Sequence, residues 1–357
     1  PEEVGVDTGE VIETVSKLAK IPAKLIDLKE NEAVANLGNR LKDKVYGQDQ
    51  AIDTIVEAIE VHKARLRPTD KPVASYLMTG PTGVGKTYTA QQLADVMGIP
   101  LIRFDMSEYM EKHTVSKLIG TAPGYVGYGE GEAGAGQLIQ EISNNPNCVL
   151  LLDEIEKAHP EVLTILLQVM DNAELTGGTG KKADFSNVIL LMSANLGAAE
   201  AEKNMIGFGP QERVGDDEDA IKKFFSPEWR NRLDGVIKFN KLEKEHVRLI
   251  VSRHVDELNE QLAEQNIIVS CYARARDVLA DEGYDPKLGA RPLARVFQER
   301  IKKPLSKEIL YGALQNGGRV KVATDGGELS ITYTPAKQAT PAPTVDDMLE
   351  DEEATKK

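Results

Sequence analysis

A glycine-rich segment that ends in a lysine and a threonine carries the clearest chemistry in the sequence. It reads Gly80, Pro81, Thr82, Gly83, Val84, Gly85, Lys86 and Thr87. Loop N–H groups that converge on phosphate oxygens need room, and glycines leave room because they have no side chain. A lysine ammonium can reach β- and γ-phosphates, and a threonine hydroxyl can ligate Mg²⁺. The segment therefore predicts a phosphate-binding P-loop.

The residues on either side of this segment decide between a P-loop and an ordinary glycine-rich turn before a helix. Residues 75–78 form a short apolar run that predicts a buried strand. After the segment, apolar residues recur at helical spacing, and Gly98 is placed to end that helix. A strand, a loop and a helix in this order are the context that a P-loop requires.

Two adjacent acids, Asp153 and Glu154, follow a second apolar run over residues 149–152. In a P-loop fold, Asp153 would lie near Mg²⁺, and Glu154 would orient and deprotonate the attacking water. Taken alone, the pair also fits a strand that ends in solvent. The P-loop upstream favours the metal and base roles.

Further polar residues have two interpretations each. Asn195 follows a predicted strand and either senses the γ-phosphate or is a turn residue. Arg230, Arg232 and Arg291 either stabilise charge on a transferred phosphoryl group, since a guanidinium is planar and forked, or form surface ion pairs. The guanine-reading sequence Asn-Lys-x-Asp is absent, and residues 240–243 come closest to it. ATP is therefore the expected nucleotide.

Composition limits the classes of partner and compartment. The formal net charge of -14 counts against nucleic acid or an acidic membrane as the main partner. The two cysteines, Cys148 and Cys271, are far apart and fit buried thiols in a reducing compartment. The sequence has no apolar run of about 18 residues and no signal peptide, so we expect a cytoplasmic protein without a membrane span.

Alternating strand and helix patterns from residue 75 predict an α/β fold with a parallel sheet flanked by helices. The predicted strands are residues 75–78, 101–104, 148–152 and 188–192, with long glycine-rich connections at 120–136 and 175–182. Residues 241–315 have helical patterns, and a hairpin follows. The predicted domains are lead-in helices and linker over 1–40, a large ATPase domain over 41–240, a smaller, mainly helical domain with a β-hairpin over 241–335, and a disordered acidic tail over 336–357.

With these residues in place, the chain resembles the AAA+ Clp ATPases, most closely the second ATPase module of ClpA-type members. The resemblance covers roughly residues 10–335 and rests on separate stretches in the family's order: 45–52, 80–87, 103–110, 120–128, 150–159, 180–185, 227–234, 283–284 and 289–293. It implies a P-loop AAA+ domain followed by a lid domain. For the nucleotide site it implies adenine packing by Val45 and Tyr46, sensor roles for Asn195 and Arg291, and a finger, Arg232, offered to a neighbouring subunit.

The resemblance also assigns two polypeptide-binding segments. Tyr125 and Val126 match the pore loop that pulls on substrate; local reasoning leaves open that this loop packs on its own domain. Residues Ile206, Gly207 and Phe208 lie where ClpA-like chains dock on the ClpP peptidase. The chain departs from the family by an insertion at 130–136, by Lys181 in place of Arg, and by Ser193 and Ala194 in place of two threonines.

The implied function is that of an ATP- and Mg²⁺-dependent protein unfoldase that is not itself a peptidase. Six copies would form a ring and thread unfolded or tagged proteins, delivered with or without an adaptor, into a ClpP-type peptidase. The alternatives are a ClpB-like disaggregase, an ATP-gated scaffold and a nucleic-acid motor. Intact Asp153 and Glu154 argue against a scaffold, and the acidic charge argues against nucleic acid. The chain begins at Pro1 without the family's first module, so we expect a piece of a longer protein or a single-ring relative.

Overall fold

The computed structural model describes residues 34–120, 136–196 and 216–336. These residues form two compact units. The first unit runs to Asn240 except for residues 82–84, and the second unit begins at Lys241 and includes residues 82–84. Residues 1–33 of the predicted lead-in, the pore loop, the docking segment and the acidic tail lie outside the described residues.

The first unit alternates helices and strands, as the sequence pattern predicts. Its helices are α1 (Leu37–Lys42), α2 (Asp49–Lys63), α3 (Lys86–Met97), α4 (Lys112–Ile119), α5 (Gln137–Asn144), α6 (Pro160–Asn172), α7 (Asp216–Phe224) and α8 (Pro227–Arg230). Its strands are β1 (Ala74–Thr79), β2 (Leu101–Asp105), β3 (Cys148–Asp153), β4 (Glu174–Thr176), β5 (Lys182–Asp184), β6 (Val188–Ser193) and β7 (Gly235–Lys238).

Five of these strands form one parallel sheet in the order β2-β3-β6-β1-β7. Every residue of β1, β3 and β6 is buried, because helices cover both faces of the central strands. β3 therefore lies between β2 and β6, and β6 lies between β3 and β1. The carboxyl ends of all five strands meet at one edge of the sheet, which brings residues that are distant in sequence together.

The connection after α6 differs from the long glycine-rich loop that the sequence predicts over residues 175–182. Strands β4 and β5 pair there as a short antiparallel hairpin, with Leu175 opposite Ala183. Leu175 and Ala183 are buried, whereas their neighbours on both strands are exposed. This alternation is that of a two-stranded ribbon packed on one face, and it spans too few residues to stand out in the sequence.

The second unit packs helices against a three-stranded sheet. Its elements are α9 (Lys244–Leu262), β8 (Ile267–Cys271), α10 (Ala273–Gly283), α11 (Leu293–Phe297), a π-helical turn (Gln298–Lys302), α12 (Lys303–Tyr311), β9 (Gly318–Asp325) and β10 (Glu328–Pro335). The predicted hairpin is β9–β10, and its turn residues Gly326 and Gly327 both have positive φ. The helical reading of residues 241–315 missed β8, which pairs parallel to β9.

Each unit has its own apolar core. In the second unit, an apolar stripe along α9 packs in the core, with Val247, Val251 and Leu262 buried. Cys148 and Cys271 are both free and buried, and burial raises the pKa of each thiol to about 12. Over the described ranges, the structure contains no helix that is both long and apolar enough to cross a membrane.

Candidate active site

The loop between β1 and α3 has the backbone that its glycines predict. Gly80 has φ 129° and Gly85 has φ 105°, values that L-residues with side chains rarely adopt. A Cβ on Gly80 would meet the Phe239 carbonyl oxygen at 2.4 Å, so this glycine is required by close packing. A Cβ on Gly85 would meet no atom within 4 Å. The loop therefore has open space beside Gly85, at the start of α3, where a helix N-terminus favours phosphate.

Lys86 is the first residue of α3 and lies 7% exposed among backbone carbonyls. Its Nζ donates to the Gly80 oxygen at 2.5 Å, to the Pro81 oxygen at 3.0 Å and to Asn195 Oδ1 at 2.8 Å. Burial lowers the pKa of Lys86 to about 8, against the opposing effect of nearby carboxylates. A buried ammonium held only by neutral carbonyls is ready to exchange them for phosphate oxygens, which carry charge.

Asp153 ends β3 and is held by three side chains from three other elements. Its Oδ2 accepts from the Thr87 hydroxyl at 3.1 Å and pairs with the Arg103 guanidinium at 2.7 Å, and its Oδ1 accepts from the Ser193 hydroxyl. A threonine hydroxyl beside a carboxylate is a hard-oxygen donor set of the kind that Mg²⁺ prefers. The residues predicted to hold the metal, Thr87 and Asp153, therefore lie together and fit that role.

Glu154 has a left-handed backbone with φ 55° and ψ 48°. Non-glycine residues in this conformation cost about 1–3 kcal/mol and cluster at functional sites. Its backbone N–H donates to Ser193 Oγ at 3.0 Å, and its carboxylate pairs with Lys157. Ser193 thus bridges the two acids, since it donates to Asp153 and accepts from Glu154. This bridge fixes the proposed base relative to the proposed metal ligand.

Asn195 lies just beyond β6, and its position joins it to the same site. Its Oδ1 accepts from Lys86, and its backbone N–H donates to Glu156 Oε1 at 3.1 Å. The sheet order explains this meeting, because β6 lies between β1 and β3. Four predicted residues (Lys86, Asp153, Glu154 and Asn195) therefore converge at one edge of the sheet.

The structure gives the following local surroundings for five other predicted residues. Arg232 forms an ion pair with Asp171 of its own chain at 2.5 Å, and Arg230 donates to the Phe225 oxygen at 3.2 Å. Val45 is buried and Tyr46 is partly buried in the segment between α1 and α2. Arg291 is exposed in the second unit. The roles predicted for these five residues stay predictions.

Sequence reasoning missed four residues that shape the site or its surroundings. Arg103 and Ser193 hold Asp153, and Glu156 holds Asn195. Gln48, 1% exposed, forms two reciprocal hydrogen bonds of 2.9 Å with the backbone of Asn240. Only the stretches that carry the family resemblance contain a signal for Arg103, Glu156 and Gln48, and those stretches do not say which atoms meet.

Comparisons with known proteins point to one family. The family model described as AAA domain (Cdc48 subfamily) matches residues 71–236, and the one described as the C-terminal, D2-small domain of ClpB protein matches residues 242–322. A ClpA homolog protein from Fuscovulum blasticum is 50% identical over 315 residues, which are 88% of this chain and 39% of that protein. The chain belongs to the Clp ATPase family.

Other Clp ATPases are also similar over most of this chain. ClpC/MecB of Bacillus subtilis (strain 168), named a negative regulator of genetic competence, is 40% identical over 343 residues, which are 93% of this chain and 42% of that protein. A solved structure of Hsp104 in the closed state with ATPγS and FITC casein has a TM-score of 0.77 and 36% identity, and the match covers 92% of this chain and 56% of that one. The chain spans about two fifths of the length of these curated relatives.

Proposed function

We propose that this Clp ATPase hydrolyses ATP and uses the energy to unfold and move polypeptides. The observation that carries the proposal is the convergence of Lys86, Asp153, Glu154 and Asn195 at one edge of the parallel sheet. Positioning and electrostatics account for most of the catalysis of phosphoryl transfer, and these four residues supply both.

Each residue has a definite task in this scheme. Lys86 holds the β- and γ-phosphates, and Glu154 accepts a proton from the attacking water. Asn195 fixes the position of that water or of the γ-phosphate. Thr87 and Asp153 would hold Mg²⁺, which would supply positive charge to the phosphate oxygens. Glu154 pairs with Lys157 through one carboxylate oxygen, Oε2.

The remaining parts of the proposal rest on the family. Six copies form a ring in which Arg232 of one subunit completes the site of the next and Arg291 contacts the nucleotide. Val45 and Tyr46 pack against the adenine. Tyr125 and Val126 grip a substrate polypeptide, and the solved Hsp104 structure, which contains casein, supports a polypeptide substrate.

Two candidate functions differ in whether the unfolded polypeptide is passed on to a peptidase. Ile206, Gly207 and Phe208 form the proposed docking segment for a ClpP-type peptidase, which favours an unfoldase that feeds a protease. The second candidate is a disaggregase that works without a peptidase. It is favoured by the 41% identity over 334 residues to ClpB of Oceanobacillus iheyensis, which covers 90% of this chain and 41% of that protein.

The experiment follows the unfolding of a degradation-tagged fluorescent protein by the purified chain with ATP. We expect wild type to lower the fluorescence and to hydrolyse ATP. Glu154→Gln should bind ATP with wild-type affinity but hydrolyse it at least about 100-fold more slowly, because the water loses its base. Tyr125→Ala should hydrolyse ATP and leave the tagged protein folded. Unfolding by Tyr125→Ala at the wild-type rate would contradict the pore-loop role.

The same assay with ClpP separates the two candidates. Binding to ClpP that is lost in Phe208→Ala, with ATP hydrolysis unchanged, supports the protease-feeding role. Unfolding activity with no binding to ClpP would favour the disaggregase. A chain that binds ATP but neither hydrolyses it nor unfolds the tagged protein would overturn both candidates.

A further inference from the structure

Glu156 is a partly buried acid beside the site with no role in the chemistry described so far. It lies on the 3₁₀ turn Ile155–Lys157 that follows β3. Its Oε1 accepts the Asn195 N–H at 3.1 Å, and its Oε2 is buried and accepts no hydrogen bond from the described residues. Burial raises the pKa of the Glu156 carboxyl. A fold gains little from such a carboxylate, since an uncharged side chain of similar volume is often at least as stable.

The hydrogen bond from Asn195 extends the fixed part of the backbone beyond β6. The preceding residue, Ala194, still donates to the Met78 oxygen at 2.9 Å, as part of the sheet. Asn195 is the next residue, and its N–H is held by Glu156. The Asn195 carboxamide in turn accepts from Lys86 at 2.8 Å. A chain of contacts therefore runs from the turn after β3, through Asn195, to the first residue of α3.

We propose that Glu156 is a positioning residue for ATP hydrolysis, which acts by fixing the backbone of Asn195 so that its carboxamide lies beside Lys86. This inference rests on the proposed function, since the placement of Asn195 matters for turnover only if the site hydrolyses ATP. In this role, Glu156 must be long enough for its oxygen to reach the Asn195 N–H. Its negative charge also attracts the Lys86 ammonium electrostatically, and this second effect has to be tested separately.

Two conservative variants separate reach from charge. Glu156→Gln keeps the acceptor oxygen at the same distance along the side chain and loses the charge. Glu156→Asp keeps the charge and shortens the side chain by one carbon, so its oxygen falls short of the Asn195 N–H. Glu161→Gln is the matched control, because Glu161 is a nearby glutamate whose partner, Lys112 at 2.9 Å, forms a surface ion pair.

Steady-state ATP hydrolysis, binding of a fluorescent ATP analogue and thermal unfolding are measured for each variant of the 357-residue chain. We expect Glu156→Asp and Glu156→Ala to lower kcat about tenfold, the effect of one lost hydrogen bond in the transition state. The KM for ATP and the affinity for the analogue should change by less than about twofold, since Lys86 still binds phosphate. Glu156→Gln and Glu161→Gln should retain wild-type kcat.

A double-variant cycle tests whether Glu156 acts through Asn195. In an Asn195→Ala background there is no carboxamide to position, so adding Glu156→Asp should lower kcat no further. Effects that multiply would show an independent role and overturn the inference. So would a Glu156→Gln variant as slow as Glu156→Asp, which would show that the charge is what matters. If Glu156→Ala fails to fold, the Gln and Asp variants decide.

Failure of the inference differs from failure of the proposed function. If wild type hydrolyses ATP and Glu156→Asp does so equally fast, only the positioning role is wrong. If wild type binds the ATP analogue and hydrolyses no ATP, the proposed function is wrong and the positioning role is overturned with it.

Discussion

At the scale of single residues, the site is a set of buried polar groups that hold one another. Lys86, Asp153 and Ser193 are each less than a tenth exposed. Such groups are costly to bury unless they are hydrogen-bonded, and each of these three has a partner from a different element. The motif residues Lys86, Thr87, Asp153 and Glu154 could be predicted from sequence because each motif is contiguous. Arg103 and Ser193, which hold Asp153, could not, since they lie on other strands.

Ser193 gives a prediction at this scale. Ser193→Ala should leave Asp153 Oδ1 and the Glu154 N–H without a partner and destabilise the protein by about 1–3 kcal/mol. Its kcat for ATP should fall more than its KM changes, because the proposed base and metal ligand lose their common bridge. Urea unfolding and steady-state kinetics measure the two effects. Ser193→Thr should retain activity because it keeps the hydroxyl.

Ser186→Ala is the matched control for Ser193→Ala, since Ser186 precedes β6 and its hydroxyl is bonded only to exposed Asn187. We expect wild-type stability and activity in this variant. Equal losses in Ser186→Ala and Ser193→Ala would show that the bridge at the end of β6 has no special role.

At the scale of elements, the length of an apolar run decides which strands the sequence predicts. The four strands β1, β2, β3 and β6 lie within one residue of their predicted bounds, because most of their residues are apolar. β1, β3 and β6 are buried throughout, whereas β2 buries only Ile102. β7 was missed because it is short and contains only two apolar residues in a row, Val236 and Ile237. β8 was missed because its apolar residues lie between two long helical patterns, which a short alternating run does not interrupt clearly.

His254, on the helix α9, is a histidine whose pKa differs between the folded and the unfolded chain. It lies in the apolar stripe of α9, against the ring of Phe297 with centroids 5.4 Å apart. Burial lowers the pKa of His254, against a hydrogen bond to the Glu257 carboxylate that raises it; the charges of Arg253 and Lys302 also lower it. The folded state therefore binds a proton less readily than the unfolded chain, whose imidazole titrates near 6.5.

The sign of the pH effect follows from this difference. Stability should fall as the pH drops through about 6.5 towards the lower folded pKa, because the unfolded chain gains the proton first. We expect the decrease in Tm between pH 7.5 and 5.5 to be smaller in His254→Gln than in wild type. A change of ~1 kcal/mol shifts the Tm of a domain of about 100 residues by about 4–8 °C, which calorimetry resolves.

His113→Gln is the control for this effect, because His113 is exposed and faces Glu111 at the surface. The decrease in Tm of His113→Gln between pH 7.5 and 5.5 should be as large as that of wild type, unlike the decrease in His254→Gln. A His254→Gln profile as steep as wild type would mean that the Glu257 contact offsets the effect of burial.

At the scale of the whole molecule, the described residues bring together the predicted phosphate, metal and base residues. The positive charge of the predicted arginine finger, Arg232, is not among the groups that meet there. Lys86 and Arg103 both contact groups of the site within the chain. Arg232 instead pairs with Asp171, on α6. Phosphoryl transfer builds charge that an arginine finger stabilises, and fingers are supplied in cis or in trans. In a closed ring each subunit has a neighbour in the same orientation, so one arginine per chain serves every site.

Mixing two inactive variants tests the trans role of Arg232. Arg232→Ala lacks the finger but keeps its own Glu154, and Glu154→Gln lacks the base but keeps its finger; each should hydrolyse ATP at a small fraction of the wild-type rate. In rings assembled from equal amounts, about one quarter of the sites combine an intact Glu154 with an intact neighbouring Arg232, so about a quarter of the activity should return.

The ion pair within the chain gives the control for this experiment. Asp171→Asn removes the partner of Arg232 and leaves the guanidinium free to reach a neighbour, so its ATP hydrolysis should equal or exceed that of wild type. If Asp171→Asn is as inactive as Arg232→Ala, the pair acts within one chain, and mixing would then restore no activity. Recovery on mixing together with an active Asp171→Asn variant would assign Arg232 to the neighbouring site, and the Asp171 contact to a state that Arg232 leaves when the ring forms.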